Sequence, residues 1–185
     1  MIRNLYDSSE ISISFWVKGP VNDKQTNPLA HVISHVSTDG ENGWYFDHSS
    51  DDQSIRFVVS DTSENMTISN NIPISSNSFT YIAATFDGSQ MQVYRNGDLF
   101  QTLDYFGNYS SAFNLPIHIG SASYCNSCMR FNDIIDDVNL FNRTVSETEI
   151  KQLYLGIQNN TGATNTTTNT TTSNNTNTTT SNNTN

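Results

Sequence analysis

The sequence predicts an all-β protein: two antiparallel sheets packed face to face, then one short helix and a polar tail. Three observations carry this. Phe79 to Leu103 reads as three consecutive strands joined by the turns Asp87-Gly88-Ser89 and Asn96-Gly97. Asn-Gly is the strongest short hairpin signal, because both residues take φ > 0 at low cost. Tyr81 to Phe86 is apolar on both faces of the strand period, as in a central strand covered on both sides. About ten short strand-like runs alternate with turn signals, and a single flat sheet of that size would leave one face bare.

Taken in order, Ile11 to Lys18 alternates, with Ile11, Ile13, Phe15 and Val17 on one face, and Gly19-Pro20 ends it. Val21 to Pro28 is a loop. Ala30 to Val36 is the next strand, and Asp39-Gly40 turns the chain. Gly43 to His48 and Ile55 to Val59 form a hairpin around the acidic turn His48 to Gln53, and a weaker strand covers Asn65 to Ile68. Met91 to Arg95 alternates and reads as half exposed. Pro116 to Gly120 is a short strand, and Phe131 to Phe141 is the last long one, with Ile135, Val138, Leu140 and Phe141 as core candidates. Ser146 and Glu149 have capping-box spacing, with Val145 and Ile150 as a hydrophobic staple. Ile150, Leu153 and Tyr154 line one helix face, and Gly156 is the stop. A helix this short is marginal alone and is expected to dock on the rim or back of the sandwich.

The formal net charge of −10 argues against a nucleic-acid partner, since phosphate binding needs a basic surface. No apolar run approaches the 18 residues of a membrane span. Every charged residue lies at or before Lys151; from Gln158 the chain is almost pure Asn, Thr and Ser. The expected organisation is a folded domain over residues 1–157 and a disordered linker or glycosylated stalk over 158–185. Met1-Ile2-Arg3 leads into a mixed segment and not an apolar signal region. Against that, glycosylation sequons stand at Asn65, Asn108 and Asn142 in the domain and at Asn159, Asn165, Asn169, Asn174, Asn177 and Asn182 in the tail. The expectation is an extracellular or cell-surface location, with this chain a piece of a longer protein.

Four phrases in this order carry a resemblance: ISISFWVK, FTYIAATFDGSQMQVYRNGDL, PIHIG and DIIDDVNLFNRTVSETEIKQLY. Together they resemble a LamG-like (laminin G type) jelly-roll domain of the concanavalin A-like lectin/glucanase group, over roughly residues 10 to 155. Asp133 to Tyr154 is the most specific block. The resemblance implies a two-sheet jelly roll with a binding role: adhesion or recognition of glycans or proteins on secreted and surface proteins, often with calcium at the sandwich rim. Such domains also ride as accessory modules on glycoside hydrolases.

Candidate site residues follow from chemistry. Glycanases of the wider fold carry an E-x-D-x-x-E strand motif, absent here. Asp136 and Asp137 are adjacent, so a regular strand sends them to opposite faces. Glycoside hydrolysis needs two facing carboxylates, so no catalytic role is expected; hydrogen bonding to the backbone at a sheet edge is. Asp47, Asp51 and Asp52, with Asp39 and Glu41 near them, could supply carboxylates to calcium or form a solvated turn. Cys125 and Cys128 are the only cysteines and suit a local disulfide, with free thiols as the alternative. Trp44, Tyr105 and Tyr109, with Phe106, Tyr45 and Tyr124, could stack on sugar rings, or, like Trp16 and Trp44, serve packing. His31, His35, His48 and His118 show no metal spacing and are expected at the surface or half buried. The functional expectation is a non-catalytic extracellular recognition module for a glycan or protein, joined to neighbouring domains of a larger chain. The alternatives are a structural repeat of a surface layer, stalk or viral appendage, and an accessory module of a glycoside hydrolase.

Overall fold

The computed structural model describes residues 9–19, 30–38, 42–49, 53–61, 63, 65–109, 115–122, 124 and 129–156. They form two antiparallel sheets and one helix. The five-stranded sheet has the order β11-β1-β7-β8-β9, with β1 Ile11–Lys18, β7 Thr80–Phe86, β8 Gln90–Arg95, β9 Asp98–Asp104 and β11 Ile134–Phe141. The second runs β10-β2-β3-β4-β5, with β2 Ala30–Val36, β3 Gly43–Ser49, β4 Ser54–Ser60, β5 Met66–Ile68 and β10 His118–Ile119; β6, Ile72–Pro73, pairs with β4. The helix α1 spans Glu147–Tyr154. No helix among the described residues is long and apolar enough to cross a membrane.

Alternation builds the core. Ile11, Ile13, Phe15 and Val17 of β1 meet Phe46, Ile55, Phe57 and Val59 of the facing sheet. Phe15 and Phe46 contact edge to face at 4.9 Å, a geometry worth more than area burial alone. β7 is buried at every position. Ile82, Ala84 and Phe86 join the inter-sheet core, whereas Tyr81 and Ala83 join a second cluster with Tyr94, Val145 and Ile150 on the outer face. That second cluster is where α1 docks. Without the helix, Tyr81 and Tyr94 would face water.

The helix starts as its sequence dictates. Ser146 is extended (φ −70, ψ 156) and its Oγ accepts the Glu149 N–H, while Glu149 Oε2 accepts the Ser146 N–H at 2.9 Å. Both staple residues, Val145 and Ile150, are buried. The Arg143 guanidinium forks onto Glu149 at 2.7 and 3.1 Å. With the Ser146 bonds, it holds the Glu149 carboxyl well below the usual range, at about 2. The pair is largely exposed, so it sets the helix angle more than it stabilises the fold. Buried Ser12 of β1 anchors the same turn, donating to Arg143 O and accepting from Val145 N.

Several boundaries differ from the sequence reading. β11 starts at Ile134, because Phe131 enters the core from irregular backbone. β6 is two residues ending in proline at a sheet edge, too short for a periodic signal. β5 is bonded only at its β4 side and is mostly exposed. Side chains bridge its flank to the other sheet: Thr67 Oγ donates to Asp104 O, and Asn70 N–H donates to Gln101 Oε1 at 2.7 Å.

The Asn96-Gly97 turn has both residues at positive φ, +52 and +78. Asn96 also links back to β7, its Oδ1 accepting the Tyr81 N–H at 3.0 Å. A Cβ at Gly97 would stand 2.8 Å from the Tyr154 ring and 3.0 Å from Lys151 Cδ. Gly156 shares the positive φ (+69) but has nothing within 4 Å. Gly156→Ala is therefore expected to cost only the left-handed backbone penalty, about 1 kcal/mol. Gly97→Ala adds displacement of Tyr154 and should cost roughly 1–2 kcal/mol more. Urea midpoints of the two variants measure the difference.

Candidate functional site

An open cleft of about 530 Å3 lies on the outer face of the five-stranded sheet, between β11 and the end of α1. It is lined by Trp16, Tyr81, Asp137, Val138, Asn139 and the last turn of the helix, Leu153 to Gly156. Trp16 reaches it because alternation sends it opposite Phe15 and Val17; Tyr81 is its direct cross-strand partner on β7. Tyr154 descends from the helix. Ring centroids stand 5.2 Å apart for Trp16 and Tyr81, and 5.7 Å from each of them to Tyr154. Tyr81 is buried and forms the floor; Trp16 and Tyr154 are half buried.

The opposite wall is a β-bulge. Ser14 pairs with Asn139 and Trp16 with Asp136, so β11 carries one residue more than β1 across this interval. Asp137 takes φ +46 there, a conformation that Asp and Asn tolerate better than most residues. The bulge interrupts the regular alternation that the sequence reading assumed for Asp136 and Asp137; Asp137 stands in the cleft wall and Asp136 does not. Asp136 Oδ1 accepts the Asp137 N–H at 2.9 Å, at the edge strand. Asn139 Nδ2 donates to the Asp137 carbonyl at 2.9 Å.

The residues singled out from sequence lie elsewhere. Trp44 is 1 % exposed in the inter-sheet core, 5.9 Å from the His35 ring. Tyr105 is 4 % exposed and meets Phe86 edge on at 5.2 Å; half-buried Tyr109 meets the same ring at 5.0 Å. A sugar platform needs an open ring face, so Trp44 and Tyr105 are packing residues in this fold. Burial and the neighbouring Asp61 carboxylate push the Tyr105 hydroxyl up to about 12. The aromatic that this loop exposes is Phe106, at 89 %.

Asp47 is buried, and both its oxygens accept from Arg56, through Nε at 3.0 Å and through Nη2. As placed it is an ion-pair partner and does not fit a calcium ligand. Asp51, Asp52, Cys125 and Cys128 lie outside the described residues. Among the described residues no group of three or more His, Cys, Asp or Glu is arranged to hold a metal. The Asn65 amide donates to both Asp61 oxygens, at 3.1 and 3.3 Å, and the Asn108 N–H donates to Asp61 Oδ2 at 2.7 Å. Burial alone would raise the Asp61 carboxyl, but these bonds and the Ser63 N–H outweigh it and hold it low. Asn142 is exposed, and the sequons from Asn159 onward lie outside the described residues.

The histidine expectation is also corrected. His31, His35 and His48 are all buried, on a sheet whose alternation sends His35 and His48 into the core. His31 stacks on Tyr45 at 4.5 Å beside Asp47, with Tyr124 edge on. Burial lowers His31 from 6.5 to about 4, with Asp47 opposing in part; His48 moves the same way, with Asp133 and Asp47 opposing. Among the described residues, His31 Nδ1 and both His48 nitrogens have no hydrogen-bond partner. The sign follows directly. Below pH 6.5 the unfolded chain binds a proton at His31 that the folded chain refuses until about pH 4. Stability therefore falls as pH drops through that window, by about 2 kcal/mol at pH 5 from His31 alone. Urea midpoints at pH 7 and pH 5 should show the loss, and His31→Phe, which keeps the stack on Tyr45, should remove most of it.

The profile of the concanavalin A-like lectin/glucanases superfamily, laminin G type, matches residues 3–151. The chain belongs to that superfamily. No curated protein matches it by sequence. Among solved structures, this superfamily member is similar to the botulinum neurotoxin serotype D binding domain, with TM-score 0.64, 20% identity, and coverage of 83% of this chain and 38% of that one. It is also similar to the serotype D ligand binding domain in complex with N-acetylneuraminic acid (TM-score 0.62, 19% identity, 80% and 36% covered). The serotype G binding domain gives TM-score 0.52 at 24% identity, with 81% and 37% covered. The chain thus spans a little over a third of the length of these domains. At these identities the likeness is one of fold.

Proposed function

We propose that this chain is a non-catalytic recognition module, carried outside the cell on a larger secreted or surface protein, and that it binds a glycan or protein partner through the cleft beside the end of α1. The observation that carries this is the cleft itself: aromatic rings, one carboxylate and one amide converging on a space large enough for a sugar residue or a side chain. Membership of a lectin-containing superfamily and the fold shared with toxin binding domains support it. Among the described residues, Asp137 is the one carboxylate in the lining. Hydrolysis of a glycosidic bond there would need a second acid facing it, which favours binding over turnover. The Asn/Thr-rich tail suits a spacer between this module and the next.

The test is a glycan array together with a panel of extracellular proteins, probed with wild type, Tyr154→Ala and Leu155→Arg. Leu155 is 58 % exposed, so its replacement should leave stability within about 0.5 kcal/mol while crowding the cleft. Binding should drop about tenfold or more in both variants, in line with the loss of one stacked ring. A partner held equally well by all three proteins would put the site elsewhere, and no binding to either panel would remove the recognition role.

A further inference from the structure

Resting on that reading of the cleft, we propose that its occupant is a guanidinium group: an arginine side chain presented by a basic segment of a partner protein. The charge of the lining points to this occupant. The Asp137 carboxylate only accepts. Asn139 spends one Nδ2–H on the Asp137 carbonyl, which leaves its amide oxygen and one N–H for other partners. The last turn of α1 brings the negative end of a helix dipole to the same wall. The faces of Trp16, Tyr81 and Tyr154 carry negative quadrupole charge. Among the described residues no Lys, Arg or His lines the space. The exposed carboxylate of Asp136 stands next along β11, and Lys18, the nearest basic residue on that face of β1, is two positions from Trp16 and outside the lining.

The one formal charge, the ring faces and the helix end in this lining therefore favour a cation, and an anionic sugar such as a sialic acid would meet like charge. The molecule already uses one of these rings in this way: Lys151 Nζ, held by Asp98, lies 5.5 Å from the centroid of the Tyr154 ring. Guanidinium fits better than ammonium. It is planar and weakly hydrated, so it can lie against a ring while its in-plane N–H groups reach a carboxylate. A chain of net charge −10 would also draw a basic partner toward it, the more so at low salt.

The two tryptophans supply the readout. Trp16 lines the cleft and Trp44 is sealed in the core, so Trp44 serves as internal reference for the indole N–H resonances. The full chain is titrated at low salt with a glycine-flanked arginine peptide and with the citrulline peptide, which has the same shape without the charge. The arginine peptide should move Trp16 and leave Trp44 still, and citrulline should bind about tenfold more weakly. Asp137→Asn keeps a residue that tolerates positive φ, so the melting temperature should hold while most of the arginine preference disappears. Equal binding of the two peptides, or an arginine preference unchanged in Asp137→Asn, overturns the proposal. If an uncharged glycan moves Trp16 and the arginine peptide does not, the cleft remains a recognition site and the guanidinium assignment falls. If no ligand of any kind moves Trp16, both fall.

Discussion

The double burial of β7 is the constraint on which the rest depends. Its seven residues are all buried, so apolar cover is required on both sides of one sheet. The second sheet supplies one cover through Phe46, Ile55, Phe57 and Val59. The other comes from an eight-residue helix too short to be stable on its own. The capping box, the staple and the Ser12 anchor all serve to fix that helix at one angle over Tyr81 and Tyr94. The cleft is the part of the outer face that the helix does not reach. Its existence follows from the mismatch between a short helix and a wide sheet.

Much of this was legible in the residues. The β7 to β9 meander, both glycine turns, the capping box and the membership implied by Asp133 to Tyr154 stand in the structure where the sequence placed them. Local rules succeed there because each is decided within a few residues. The candidate site was less legible for a physical reason. Trp16 and Tyr154 were visible as an outward strand residue and a helix-face residue. Their meeting over Tyr81 depends on where the helix docks. The bulge that sets Asp137 in the cleft wall has no period or turn residue to announce it; positive φ at an aspartate cannot be read from Asp-Asp-Val. Trp44 and Tyr105 looked like loop aromatics because they border turns, yet tertiary packing draws both rings inward.

The histidines show the same limit from the other side. His31, His35 and His48 sit on strands whose neighbours are apolar, and the sheet buries whatever the register delivers. Burial lowers the His31 and His48 rings, which favours their neutral form, and the Arg56–Asp47 pair beside His31 is the compensated charge in that region. Burying a polar group without partners is unfavourable. This fold accepts it at His48, whose two nitrogens find none among the described residues, against the Phe131 ring.

The pairing of β1 with β11 has a kinetic side. Residues Ser12 and Phe141 are partners in the ladder, so the first strand waits for nearly the whole domain before its outer edge is satisfied. During synthesis the meander from Thr80 to Asp104 could assemble on β1 well before that, with β11 and the helix arriving last. The cleft would then be the final piece of the molecule to form on the ribosome. A nascent chain stalled short of residue 154 would display an unsealed sheet, open to chaperones and to other strands.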